Sequence, residues 1–310
     1  MRRLLILMAA VIPTVAGTAI TAGQARQQLN PRDTMVVSTA WLGSHLKDQD
    51  LLLLHLGVKP EYDAGHIPGA RFVTMNDISL SDSSPTGLNL QMPAADDLKT
   101  RLEAIGVSDA SRVIVSYGKD RIASATRVLY TLDYAGLGSH VSLLDGGVEA
   151  WKAEGRPMST DVPAAVRGQL ATLKVQPTIV DAEFVKAQIE KPGIVVIDSR
   201  LPAFYSGAQA GGSTASPHRA GHITGANNVP YVETLDADQK LKPADALAGL
   251  FAAAGAKTGD TIVTYCHIGQ QATAVAFAAR TLGFKVLLYD GSFEDWSRRT
   301  ELPVTNPSKK

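Results

Sequence analysis

The chain has 310 residues, 45% apolar and 19% charged, a globular composition long enough for two domains and unlike that of a disordered or coiled-coil chain. Its 30 basic and 30 acidic residues cancel, which excludes the basic excess of a nucleic-acid binder. A single cysteine, Cys266, excludes an internal disulfide framework and any cysteine-based zinc or iron–sulfur site.

In chain order, Arg2 and Arg3 precede an apolar run from Leu4 to Ala16, and Gly23-Gln24-Ala25 supplies a small-x-small cleavage pattern. These features predict a signal peptide over residues 1–25, cleaved near Ala25, and a periplasmic or secreted mature chain. Its loss removes two arginines and leaves a net charge of −2. Pro13 and the short run make a poor spanning helix, and no later segment approaches the ~18 apolar residues of a membrane span. No stable membrane association is expected after cleavage.

The rest of the chain is written twice. Gly65-His66-Ile67-Pro68-Gly69-Ala70 returns as Gly221-His222-Ile223-Thr224-Gly225-Ala226. The apolar runs Leu51–Leu56 and Ile194–Ile197 precede the two motifs, and Val113–Val115 and Thr261–Thr264 follow them. Each copy closes on a tight turn and a tryptophan: Asp145-Gly146-Gly147 with Trp151, then Asp290-Gly291-Ser292 with Trp296. Helix-period segments fall at Ala94–Ile105, Arg121–Leu132, Ala244–Ala254 and Ala272–Leu282. Continuous apolar strands alternating with helices indicate a parallel sheet covered on both faces. Two α/β domains are therefore predicted, residues 34–158 and 177–306, joined by a linker over 159–176, a stretch that reads equally well as an extra edge strand of one domain. Only the second copy carries the Gly/Ser-rich stretch Ser206–Pro217, which reads as a surface loop.

Cys266 follows the strand Ile262-Val263-Thr264-Tyr265, and His267-Ile268-Gly269-Gln270-Gln271 leads from it into an Ala-rich helix. That places the thiol at the carboxyl end of a parallel strand, where open α/β sheets bind ligands. Successive N–H groups of such a loop form an anion nest at a helix N-terminus. The nest is expected to lower the thiol pKa and to stabilise an anion on the sulfur. Gly269 permits the fold-back of the loop. The matching position in the first copy is Gly118, so that domain is expected to be catalytically silent.

These motifs resemble those of the tandem-domain rhodanese family of sulfurtransferases, of exported bacterial type. The resemblance rests on Gly-His-Ile-x-Gly-Ala twice, on the Asp-Gly turn with its tryptophan twice, and on Tyr265-Cys266-x-x-Gly269. It implies two rhodanese-like domains, the second catalytic, and a persulfide formed on Cys266 from thiosulfate or 3-mercaptopyruvate. The acceptor would be cyanide, a small thiol or a redox protein, with no metal or organic cofactor. The six-residue loop Cys266–Gln271 matches the family's loop length. Arg200 maps onto the family's donor-binding arginine, a role that suits a bidentate guanidinium; the other reading is a salt bridge tying a loop. Arg219 ranks second as a cationic contact. His267 and Ile268 follow neither the basic nor the small polar loop pattern, and a charge on His267 would tilt the choice toward thiosulfate.

His66 and His222 recur in both copies and are expected to bond loop backbone. The spacing of His218 and His222 does not make a zinc pair, because Pro217, Gly221 and Gly225 break the helix. Asp198 is expected to orient the strand end or to pair with Arg200. A cysteine phosphatase of the related fold needs Cys-x5-Arg; counting from Cys266 gives Gln271 and then Ala272, so that reading fails. The remaining alternative is a non-catalytic module that binds or senses an anion or sulfur.

Overall fold

The computed structural model describes residues 30–84, 86–213 and 217–309; the expected signal segment lies outside them. In the first half the strands are β1 (Val36–Val37), β2 (Leu51–Leu56), β3 (Arg71–Phe72), β4 (Arg112–Tyr117) and β5 (Val141–Leu144). The helices between them are α1 (Pro31–Met35), α2 (Thr39–His45), α3 (Lys59–Ala64), α4 (Ala95–Ala104), α5 (Ile122–Tyr134) and α6 (Gly147–Ala153). The second half has β6 (Ile179–Val180), β7 (Ile194–Asp198), β8 (His222–Ile223), β9 (Asn227–Asn228), β10 (Thr261–Tyr265), β11 (Lys285–Tyr289) and β12 (Val304–Thr305). Its helices are α7 (Ala182–Gln188), α8 (Pro202–Tyr205), α9 (Ala244–Ala253), α10 (Gln271–Thr281) and α11 (Ser292–Arg298).

Each half builds a five-stranded parallel sheet, ordered β1-β5-β4-β2-β3 and β6-β11-β10-β7-β9. The central strands are buried almost end to end, as sheets with helices on both faces require. Register repeats with the fold: Tyr117 pairs with Leu56, and Tyr265 with Asp198. The first copy thus has Val58 where the second has Arg200. Helix ends fall within about two residues of the expected ones, the usual fraying of a terminal turn. Gly106 and Gly255 close α4 and α9 with φ of +98° and +84°, as helix C-caps.

Residues 159–176, the expected linker, contain no helix and are fastened along the first half of the chain. Ser159 exchanges backbone hydrogen bonds with His66, the Gly168 N–H donates to the Glu103 carbonyl, and the Gln176 N–H donates to the Tyr134 carbonyl. The domains meet through α5 and α10. One apolar cluster runs across that seam, from Val115 and Leu129 to Val275 and Leu288. Burial of this continuous core ties the orientation of the two sheets to the stability of each. Among the described residues, no helix is long and apolar enough to cross a membrane.

Candidate active site

Cys266 stands at the first residue beyond β10 and is 1% exposed. The backbone N–H groups of Ile268, Gly269, Gln271 and Ala272 all hydrogen-bond toward its sulfur. Gln271 and Ala272 are the first two residues of α10, so the positive end of the helix also faces the thiol. The loop makes this turn because Gly269 adopts φ +79°. A Cβ there would stand 2.8 Å from the Asp290 carbonyl oxygen and 3.1 Å from Arg127 Nη1. The Cys266 N–H donates to Ser292 Oγ at 3.2 Å, and the Cys266 carbonyl accepts from the Phe293 N–H.

The nest forms as the sequence predicts, but its effect on the resting thiol is outweighed. Burial pushes the Cys266 pKa up, against the pull of the four N–H groups. Desolvation penalises the thiolate more than the amides favour it in the closed site.

Arg200 pairs with Asp198, one of the two roles expected of that aspartate, and takes the salt-bridge reading rather than the donor-binding one. It is 1% exposed, and its Nε and Nη2 donate to the Asp198 carboxylate at 2.6–3.1 Å while Nη2 also donates to the Gly221 carbonyl at 2.8 Å. Its guanidinium lies 4.1 Å from the Phe293 ring centroid. The geometry is that of the buried salt bridge, with Arg200 acting on Cys266 through space. Burial disfavours its charge, Asp198 more than restores it, and the thiolate adds to that effect. Asp198 also accepts from Tyr265 Oη at 2.7 Å, so a charge network underlies the cysteine strand.

Arg219 is directed away from the thiol loop. Its guanidinium donates to the carbonyls of Trp296, Ser297, Arg299 and Leu302 at 2.8–3.0 Å. It satisfies the carbonyls left open at the end of α11, which corrects its ranking as a donor contact.

His267 and Ile268 line a cleft of about 730 Å³, together with Phe204, His218, Arg298 and, from the first domain, Asn89. Burial, then Arg200 and His218, lower the His267 pKa to about 4. The ring is therefore neutral at pH 7, and the expected charge favouring thiosulfate is absent. Arg298, the arginine of this cleft, is paired with Glu294 at 3.1 Å. Residues 210–213 of the Gly/Ser-rich stretch also line the cleft, and a Cβ on Gly211 would meet His267 Nδ1 at 2.5 Å. Gln270 turns from the thiol toward the first domain, donating to Ser124 Oγ at 2.9 Å.

The repeated histidines bond backbone, but the carbonyls their Nδ1 atoms meet are those of α3 and α8 rather than of a loop. The Nδ1 of His66 is 2.8 Å from the Tyr62 carbonyl oxygen and that of His222 is 2.7 Å from the Tyr205 carbonyl oxygen, and each ring stacks on that tyrosine at 3.8 Å. Among the described residues, no group of three or more His, Cys, Asp or Glu is placed to hold a metal.

Two residues near the thiol escape the sequence reading. Ser292 occupies the left-handed region at φ +51°, where the first copy has Gly147, and its hydroxyl meets the Cys266 N–H. The Gly147-to-Ser292 difference between the copies was the available signal. Tyr231 comes near enough to Cys266 for the thiolate, after burial and Asp120, to raise its phenol pKa. No motif marked it.

Comparison with known proteins agrees with this architecture. Residues 38–154 and 181–299 each match the Rhodanese-like domain family. A "Thiosulfate sulfurtransferase" of Azotobacter vinelandii is 29% identical over 272 residues, covering 87% of this chain and 96% of the relative. A "Probable 3-mercaptopyruvate sulfurtransferase" of Pseudomonas aeruginosa is 30% identical over 275 residues, covering 85% and 95%. The crystal structure of the 3-mercaptopyruvate sulfotransferase SseA from Escherichia coli superposes with a TM-score of 0.72 at 26% identity, covering 84% of this chain and 98% of that one. Two copies of one domain, with a thiol loop in the second alone, therefore place this chain in the rhodanese-like family.

Proposed function

We propose that the chain is a sulfurtransferase that carries a sulfane sulfur on Cys266, taken from thiosulfate or 3-mercaptopyruvate and passed to a thiol, cyanide or a redox protein. The observation that carries this reading is the convergence of four backbone N–H groups on one sulfur, a geometry suited to an anion at that point. The relatives named as thiosulfate and 3-mercaptopyruvate sulfurtransferases support the class of reaction. Thiosulfate is the first donor to test, on the name of the Azotobacter relative.

In the first step the Cys266 thiolate attacks the outer sulfur of thiosulfate. The sulfur–sulfur bond of the donor breaks, and sulfite leaves with its electron pair. In the second step the acceptor nucleophile attacks the outer sulfur of Cys266–S–S⁻ and the thiolate returns. The N–H groups hold the persulfide anion, and the buried Arg200 adds positive potential. The cleft beside His267 and Ile268 receives donor and acceptor in turn. Export by the N-terminal segment is part of the same proposal, supported by the sequence of residues 1–25.

Intact-mass measurement tests the reading. The wild type should gain one sulfur atom from at least one of the two donors, Cys266→Ser should gain none, and a substitution at Gly118 should leave transfer unchanged. Undiminished transfer by Cys266→Ser would remove the cysteine from the mechanism. No gain from either donor would favour a binding module instead.

A further inference from the structure

The thiol loop is held from outside its own domain. Arg127 lies on α5 of the first domain and is fully buried. Its Nη1 donates to the Gly269 carbonyl at 3.2 Å and to Asp290 Oδ1 at 2.6 Å, and its Nη2 donates to the Leu90 carbonyl. The other oxygen of Asp290 accepts the Met92 N–H at 2.6 Å. Gly269 is the left-handed residue of the loop and one of the four whose N–H reaches the sulfur. Ser124, also on α5, receives Gln270. One helix of the thiol-free domain therefore grips two consecutive residues of the thiol loop.

The duplication supplies an internal control. Thr126 and Thr273 meet hydroxyl to hydroxyl at 3.0 Å, and Arg280 donates to Asp133 at 2.7 Å, each pair separated by 147 residues. At that offset the counterpart of Arg127 is Ala274. The arginine occurs on the helix that reaches the loop of Cys266, and alanine stands on the helix related to the loop of Gly118. An arginine that served only to fasten the domains together would have no reason to choose this side.

We infer that Arg127 is a positioning residue of the second domain's site: it fixes the Gly269 peptide so that the loop N–H groups stay aimed at Cys266 Sγ. The domain without a thiol is thereby part of the catalytic machinery. This rests on Cys266 being the reactive group, which the test below reads separately from any donor.

Iodoacetamide labelling followed by intact mass, from about pH 7 to pH 11, reads the thiolate directly. The proteins compared are wild type, Arg127→Met, Arg127→Lys and the double variant Arg127→Met with Asp290→Asn. The double variant removes the buried charge that Arg127→Met leaves unpaired, so a folded protein without the clamp is at hand even if the single variant fails to fold. In Arg127→Met and in the double variant, the labelling midpoint should move up by about one pH unit, about a tenfold loss of rate at neutral pH. Transfer kcat should fall with KM nearly unchanged. Arg127→Lys should recover part of the loss, because an ammonium reaches one acceptor but not the fork of three. A folded Met or double variant whose profile superposes on the wild type overturns the clamp and leaves Cys266 as nucleophile. A wild-type Cys266 that does not label overturns the functional reading as well.

Discussion

Gly269 shows how much of the site hangs on one backbone conformation. Its φ of +79° is unfavourable for an L side chain, and the space above it is closed by the Asp290 carbonyl. Gly269→Ala should cost about 1–3 kcal/mol in stability and lower transfer more than its folded fraction explains, because the N–H groups lose their aim. Urea melts and single-turnover transfer on the same preparation measure both; a variant as stable and as active as wild type would contradict this account. Gly269 and Cys266 were legible because strand, tight loop and Ala-rich helix follow one another in the sequence. Ser292 was not: it comes from another turn and joins the site through a hydroxyl accepting the Cys266 N–H. Arg200 was legible in position, and the sequence offered two orientations for it. An arginine two residues after an aspartate can reach outward to a donor or fold back, and here it folds back onto Asp198.

At the level of elements, β7 and β10 carry a shared charge network. Asp198 at the end of β7 binds Arg200 and accepts from Tyr265 at the end of β10, and the register pairs those two strand ends. Asp198→Asn keeps the shape but leaves Arg200 buried and uncompensated. It should cost about 3–5 kcal/mol, read by chemical denaturation. Replacing Arg200 with Met in the same chain should recover a large part, since paired removal is far milder than leaving one charge alone. A loss below about 1 kcal/mol for Asp198→Asn would show that water reaches the pair. The strands themselves were readable from their unbroken apolar runs. Their pairing order was not, because sheet order depends on which crossover each helix makes, and apolar runs carry no such address.

Across the whole molecule, three histidines, two buried and one half-buried, make stability depend on pH. Burial, with His66 for the first, lowers His55 and His218 to about 4, and His267 has the same value for the reasons given above. Above the unfolded value near 6.5 these rings are neutral in both states, and their contribution to stability is fully present. As pH falls from about 6.5 toward 4 the unfolded chain binds protons that the folded chain excludes, so stability declines. Thermal melts at falling pH should show Tm dropping through this window, with a shallower drop in His218→Asn. A Tm that stays flat would mean the rings accept protons within the fold. The seam between the domains was the least legible feature of all. The repeats announced two copies, but the meeting of α5 with α10 depends on three-dimensional fit, and so Arg127 carried no mark in the sequence beyond its difference from Ala274.

The contact between Thr126 and Thr273 has a further consequence. A residue that touches its own equivalent lies on a two-fold axis, the arrangement of an isologous homodimer. In a true homodimer every substitution appears twice, so an arginine on one side and an alanine on the other could never coexist. Joining both halves in one chain lifts that restriction and holds the seam together whatever the protein concentration. It lets one half carry Gly118 where the other has its thiol and still hold the arginine that serves its neighbour.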